Sequence, residues 1–334
     1  MFSVFALLVF FGCGNESNHS GKTSNQSSPS APSSSNGSVP DSPVKGVIAY
    51  TPQTLSNPFF SVISENIRDE AAKNGYEVLM VDPDYDVKKQ SEQIDDFIVK
   101  DVTAIVLVPC DRIAVGPAVK QANEAGIPVF TVDSKCDAEG VRIEGHVGTD
   151  NFQGGELAGK AMIKALGESG GKVLILDLKR ANSCVLRVDG FKKVLVAHNE
   201  ARSSGKIEIV AELDGNGEEI KGRQSTADTL QVHEDLAGIF AINDPSALGA
   251  YRAVEEADRQ DRVKIIAFDG QPEGRQAIKK GQIFAEPMQH PDQMGILIVQ
   301  MIMKYQAGED YEEELLIPAT LYTKTEADQD PDLK

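Results

Sequence analysis

A doubly wound α/β architecture, built twice in tandem, is what this chain of 334 residues predicts. Three observations carry that expectation. From Gly46 onward, short β-branched runs alternate with amphipathic stretches, the pattern that builds a parallel sheet with helices on both faces. Setting aside the first 43 residues leaves 291, more than one core accommodates and enough for two domains. Asn74-Gly75, Ala125-Gly126 and Lys280-Gly281 each place a residue tolerant of positive φ at the end of a helical stretch and just before a strand.

In order along the chain, the first series reads strand 46–50, helix 58–74, strand 77–81, helix 87–100, strand 103–108, helix 113–125 and strand 128–132. The second begins after Asp150. It reads helix 153–166, strand 172–176, helix 188–198, strand 206–210, helix 218–232, strand 238–241, helix 245–257, strand 263–267 and strand 282–285.

Ahead of both series lies a segment of another kind. An apolar run of about ten residues ends in Val9-Phe10-Phe11-Gly12-Cys13-Gly14, too short to span a bilayer but suited to the core of a secretory signal. Residues 1–13 are therefore expected to be a signal and lipoprotein segment with Cys13 as the lipid attachment site. No Lys or Arg precedes Lys22, and a start site assigned too far downstream explains the missing basic end most simply. Residues 14–43 hold eleven Ser, four Pro and three Gly with almost no large apolar side chain, a composition that cannot offset its ordering entropy. They read as a tether.

The formal net charge is −18, all but one unit of it on the residues after 43. Such an acidic body repels nucleic acid and anionic lipid surfaces, and it keeps an exported protein soluble. Cys110, Cys136 and Cys184 follow Cys13. If the strands ending near Cys110 and Cys136 are neighbours, these two thiols share one edge; a disulfide and a pair of thiols both stay open. The five His are scattered and no Cys-x-x-Cys spacing occurs, so neither a metal site nor a cofactor is expected.

Ligands of doubly wound sheets bind beyond the carboxyl ends of the strands. The polar residues there are Asn57 with Phe59 and Phe60 after the first strand, Asp133 and Ser134 after the fourth, and in the second series Asn243-Asp244, Asp269-Gly270 and Gln289. Paired amides and carboxylates with an aromatic face suit a small polyhydroxylated ligand and not a phosphate. Each residue also has a bland role open to it. An Asn or Asp after a strand commonly caps the next helix, and paired Phe at a helix start commonly join the core.

Several motifs together carry a family resemblance: Ser56-Asn57-Pro58-Phe59-Phe60, Ala125-Gly126-Ile127-Pro128-Val129, Val147-Gly148-Thr149-Asp150-Asn151, Arg187-x-x-Gly190-Phe191, Ile242-Asn243-Asp244, Ala267-Phe268-Asp269-Gly270 and Gln289-x-Pro291-Asp292-Gln293-x-Gly295. Over nearly all of 45–324 the chain resembles the sugar-binding solute receptors of ABC transporters, the ribose-binding, type I periplasmic binding proteins. The resemblance implies two Rossmann-like lobes joined by a three-strand hinge, crossing near 147–150, near Gln289 and near 318–320. The N-terminal lobe would be 44–148 plus 290–318, and the C-terminal lobe 149–289 plus 319–334.

It also implies that Asn57, Phe59, Phe60 and Asp133 contact ligand from one lobe, with Ser134 beside them. Arg187, Asn243, Asp269 and Gln289 would do so from the other lobe and the hinge. Ser134 and Lys135 stand where ribose receptors carry Arg after the Asp, Gly217 stands where the second lobe offers a ring, and the stem 51–55 is longer. Ribose itself is therefore not the expected ligand, and Gln53, Lys135, Asn182 and Asn216 are the replacements of interest. Implied partners are a small sugar or polyol and an ABC permease, with a monomeric receptor lipid-anchored in the periplasm or at the cell surface. The membrane would be touched only through the lipid. The Asp269→Ala change is expected to abolish binding while sparing the fold.

Rival readings are weaker. Residues 154–161 spell GxxxxGKA, but without the Ser or Thr that would hold Mg²⁺, and on a helical stretch rather than a strand-to-helix loop. A repressor on this fold needs a basic helix-turn-helix where the signal and tether stand. A hydrolase needs an acid/base pair inside a recognisable motif, and none surrounds Asp133 or Asp269. A sensor that hands a sugar-like signal to a membrane protein is the alternative to transport.

Overall fold

The structure is a computed structural model that describes residues 44–333. The expected signal, Cys13 and the tether 14–43 lie outside the described residues. Elements follow one another as β1 (Val47–Thr51), α1 (Pro58–Lys73), β2 (Glu77–Met80), α2 (Val87–Val99), β3 (Ala104–Leu107), α3 (Gly116–Glu124), β4 (Val129–Val132) and β5 (Gly145–Thr149). Then come α4 (Asn151–Leu166), β6 (Gly171–Asp177), α5 (Asn182–Glu200), β7 (Ile207–Asp214), α6 (Glu219–Val232), β8 (Leu236–Ala241), α7 (Asp244–Glu256), β9 (Lys264–Ile266), α8 (Pro272–Lys279) and β10 (Ala285–Met288). The chain ends with α9 (Pro291–Ala307), β11 (Glu314–Ile317), β12 (Thr320–Thr323) and α10 (Lys324–Gln329).

Two six-stranded sheets result, ordered β11-β5-β4-β3-β1-β2 and β12-β10-β9-β8-β6-β7. All pairings are parallel except β10 with β12. Alternation along the strands explains why each sheet is covered twice. In β1, Ile48 and Tyr50 join a core with α1 and α9, whereas Ala49 faces Ile94, Phe97 and Val119 of α2 and α3. In β8, Ile239 and Ala241 pack with α7 and α8, and Phe240 turns the other way onto Phe191 of α5, with rings stacked at 4.4 Å. The expected doubly wound fold, made twice, is what forms.

The chain passes between the sheets three times: after β5, between β10 and α9, and between β11 and β12. These crossings are stitched together. Asp150 N–H donates to the Ile317 carbonyl at 2.9 Å, and Gln153 exchanges hydrogen bonds with the Ala319 backbone in both directions.

Some elements depart from the sequence pattern. The last strand expected at 282–285 is displaced to Ala285–Met288, because its register is fixed by antiparallel pairing with β12, a partner distant in sequence. Helix α5 starts at Asn182, six residues before the apolar repeat, so Arg187 is helical rather than in a loop. Its first turn, Asn182-Ser183-Cys184, lacks apolar periodicity and resembles a turn in composition. Helix α9 carries apolar residues almost all round and buries Met294, Ile298, Val299 and Ile302 against the first sheet. Cys110, Cys136 and Cys184 are free thiols, so the disulfide left open by the sequence does not form here.

The GxxxxGKA stretch lies on α4, as its helical pattern suggests, and its glycines serve packing. A Cβ at Gly155 would stand 2.1 Å from the Arg187 carbonyl oxygen, and one at Gly190 of α5 would stand 2.1 Å from that of Phe152. Backbone-to-backbone contact of α4 and α5 sets where Arg187 sits. Gly155→Ala must therefore displace α5, and a loss of about 1–3 kcal/mol is expected, together with weaker ligand binding. A denaturation midpoint equal to that of the parent would contradict this packing role.

Candidate functional site

A narrow cavity opens between the carboxyl ends of the two sheets, where the chemistry of doubly wound folds concentrates. Asn57, Phe59, Phe60 and Asp133 line it from the elements of the first sheet. Arg187, Asn243, Asp269 and Gln289 line it from the second sheet and a crossing. Ser134 does not line it. Its hydroxyl instead accepts a long 3.4 Å bond from the Ser183 N–H, tying the lobes together beside the cavity. Of the replacements of interest, Gln53 lines the cavity, as does Gly217, the position of the missing ring. Lys135 turns away to Glu314 at 2.6 Å, Asn182 donates to Asp137, and Asn216 bonds Glu218. Larger concavities of about 460 and 360 Å³ lie on single flanks and gather none of these residues. Convergent buried polar groups, not size, mark the site.

The bland roles of these side chains are real and coexist with lining the cavity. Asn57 caps α1, its Oδ1 accepting from Phe59 N–H at 3.0 Å, and Asn243 caps α7 by accepting from the Ser246 N–H and hydroxyl. Phe59 and Phe60 belong to the core and meet edge-on at 5.4 Å. Capping and packing hold each group in one rotamer, so a ligand meets a surface already ordered.

Arg187 is the hub of the second side. Its Nε donates to Asn151 Oδ1 at 2.7 Å, and Nη1 donates to the Ile242 carbonyl at 2.7 Å and to Asp269 Oδ1 at 3.1 Å. The guanidinium carbon lies 3.9 Å from the Phe268 ring centroid. Asp269 Oδ1 also accepts from Gln289 Nε2 at 2.6 Å, and Gln289 Oε1 accepts from the Thr149 hydroxyl at 2.6 Å. Thr149 ends β5 at the first crossing and Gln289 follows β10 at the second. One hydrogen-bonded chain thus runs from Arg187 through Asp269 to two crossings. Asp269→Ala would take the carboxylate partner from a buried guanidinium and leave it Asn151 and the Ile242 carbonyl, so this geometry adds a stability cost to the expected loss of binding.

Both cavity carboxylates sit on unusual backbone. Asp133 has φ 64° and Asp269 has φ 117°, values that L-residues seldom adopt and that concentrate at functional sites. Asp133 N–H donates to the Val147 carbonyl, and Asp269 is held by Pro287 and Gln289 backbone bonds, which fix each turn. Burial pushes the Asp133 carboxyl up to about 7, opposed by the Arg187 charge and reinforced by that of Asp269. Burial likewise lifts Asp269 to about 6, against the pull of Arg187 and Gln289. Asp133 Oδ1 is buried and has no hydrogen-bond partner within the protein. A buried acceptor of this kind is costly unless a donor reaches it.

Tyr85 lines the same cavity, and the motif pattern does not single it out. The rule that does find it is the one applied to the other strands, since it stands in the loop past β2.

Against this geometry the relatives can be read. Residues 48–310 match the family model described as a periplasmic binding protein domain. The chain belongs to the periplasmic binding protein family. It is 32% identical over 280 residues to the ribose import binding protein of Escherichia coli, covering 84% of this chain and 91% of that protein. The D-apiose import binding protein of Paraburkholderia graminis is 30% identical over 283 residues, covering 84% and 88%. Among solved structures, the ABC transporter periplasmic solute binding protein of Actinobacillus succinogenes with bound D-allose superposes with TM-score 0.76 at 27% identity, covering 85% of this chain and 100% of that one. The two sheets here are those of the type I periplasmic binding fold. These relatives are named as binding proteins.

Stability from Asp133 is complete below about pH 4 and is lost as pH rises to about 7, because the folded form prefers the protonated acid. Asp133→Asn, neutral throughout, should gain melting temperature relative to the parent as pH rises across that window. Thermal melts at pH 4 and pH 8 check this, and a constant difference between the two proteins would contradict the burial of an ionisable Asp133.

Proposed function

We propose that this protein is an extracytoplasmic solute-binding protein that captures a small, neutral sugar or polyol between two lobes and delivers it to an ABC import permease. The observation that carries the ligand class is the buried, unpartnered Asp133 Oδ1 facing a cavity whose other carboxylate, Asp269, is already paired with Arg187. Two carboxylates against one guanidinium disfavour an anionic ligand, while acceptors in need of donors favour hydroxyl groups. Relatives named for ribose, D-apiose and D-allose, all neutral monosaccharides, support the same class.

Asn57, Phe59, Phe60, Asp133, Arg187, Asn243, Asp269 and Gln289 form the proposed contact set, and Ser134 contributes as a bridge between lobes. The lobes divide as 44–148 with 290–318 and 149–289 with 319–334. A ligand that touches both gains contacts only when they close, so its differential affinity shifts the population toward the closed form. That form is what a permease would distinguish from the open one. The receptor acts as a monomer, tethered by 14–43 to a lipid on Cys13 in the periplasm or at the cell surface. It carries out no reaction: the polar groups bind, and no nucleophile stands beside a base among them.

A thermal-shift panel of pentoses, hexoses, polyols, amino acids and nucleosides against residues 44–334 tests the reading. One sugar or polyol group should raise the melting temperature, and Asp133→Asn should weaken that ligand about tenfold or more while still folding. A response confined to amino acids or nucleosides would overturn it.

A further inference from the structure

The loop between β2 and α2 is built against its own backbone preferences. Asp84 at φ 55° and Tyr85 at φ 60° are consecutive left-handed residues, and neither is glycine. A bulky aromatic seldom adopts that region, and such strain persists only where the surroundings impose it. Here they do. Tyr85 N–H donates to the Gln53 carbonyl at 2.7 Å, Asp84 N–H to Asp82 Oδ1 at 2.9 Å, and Asp86 caps α2 through Lys88 and Lys89. Gln53 belongs to the lengthened stem after β1, and its own amide is anchored on the Pro109 carbonyl.

The result is a tyrosine ring delivered into the cavity from the first lobe. Asn57 stands near its hydroxyl, and from the second lobe the Arg180 guanidinium lies 5.3 Å from its ring centroid. Arg180 Nε and Nη2 are buried without hydrogen-bond partners, and the guanidinium is near enough to the ring for a cation–π contact. On the opposite wall stands Gly217, at φ 69°, where a Cβ would meet Asn243 Nδ2 at 3.3 Å and Leu178 at 3.4 Å. No aromatic side chain can be offered from that position.

We infer that Tyr85 is a specificity-determining residue of the sugar site, supplying from the first lobe the ring that the second lobe lacks at Gly217, with Arg180 holding the ring in place across the cleft. This deepens the proposed function and rests on it. The ring offers a C–H-facing surface, and its hydroxyl is placed beside Asn57 for one ligand hydroxyl. A ring held from this side selects by ligand shape, so its loss changes which sugars bind best as well as how tightly.

The test uses Tyr85→Asn, because Asn tolerates positive φ and removes the ring without adding strain, beside Tyr85→Phe, which keeps the ring. Calorimetry with the best sugar of the panel and its epimers gives affinity and rank order for each protein. Tyr85→Asn should lose about tenfold for the preferred sugar and alter the ranking, whereas Tyr85→Phe should stay within a few-fold and keep it. Unchanged affinity and ranking in a folded Tyr85→Asn would overturn the inference alone. Equal losses in both variants would also overturn it, since they would assign the effect to the hydroxyl and not the ring. If the parent binds no sugar or polyol, the functional reading itself fails and the inference falls with it.

Discussion

A buried guanidinium must find partners for its donors, and the site is arranged around that requirement. Arg187 is almost wholly removed from water, with side-chain exposure of 4%, and so is its partner Asp269 at 5%. Desolvating both charges is costly, and their attraction repays it only where geometry and further hydrogen bonds are good. Those further bonds come from Asn151, the Ile242 carbonyl and Gln289, which belong to different stretches of the chain. Satisfying one cation therefore draws together the start of α4, the end of β8 and a crossing between the lobes. The glycine contacts of α4 with α5 make the approach possible, since Gly155 brings its own backbone against that of Arg187.

What the second side satisfies internally, the first side leaves unpartnered, which the proposed function assigns to a ligand. Asp133 has no comparable cation in contact, sits at positive φ and keeps an oxygen without a partner. Burial displaces both carboxyls toward protonation, Asp133 to about 7 and Asp269 to about 6, and the Arg187 charge opposes both shifts, with hydrogen bonds from Arg187 and Gln289 adding to the opposition at Asp269 alone. The asymmetry gives the two lobes different work. One presents a finished polar surface, and the other presents acceptors and rings that gain most when hydroxyl groups arrive. On the proposed reading, stability is given up at Asp133 in favour of recognition, the usual exchange at binding sites.

Much of this was legible in the residues, for physical reasons that can be named. Apolar runs and period-3.6 patterns located β1–β4, β6–β9 and α1–α7, because burial on two faces leaves apolar runs in the strands, whereas β5, α9, β11 and β12 were not read from the pattern. The position rule for doubly wound folds, with the motif resemblance, gathered eight of the nine expected site residues into one cavity. Ser134 escaped because adjacent residues past a strand point in different directions. Strand β10 was misplaced because its register depends on β12, and Arg187 was put before its helix because α5 opens with polar residues. Tyr85 was missed although it stands in the loop past β2, and its entry into the cavity depends on two left-handed residues whose φ the sequence does not announce.

The most direct test is a diffraction structure of residues 44–334 with the sugar or polyol that stabilises the protein most. Electron density for that ligand is expected between the lobes, with a hydroxyl donating to Asp133 Oδ1 and others bonded to Asp269 and Arg187. A ligand bound to one lobe alone, or with Asp133 Oδ1 untouched, would contradict the division of labour between the two sides.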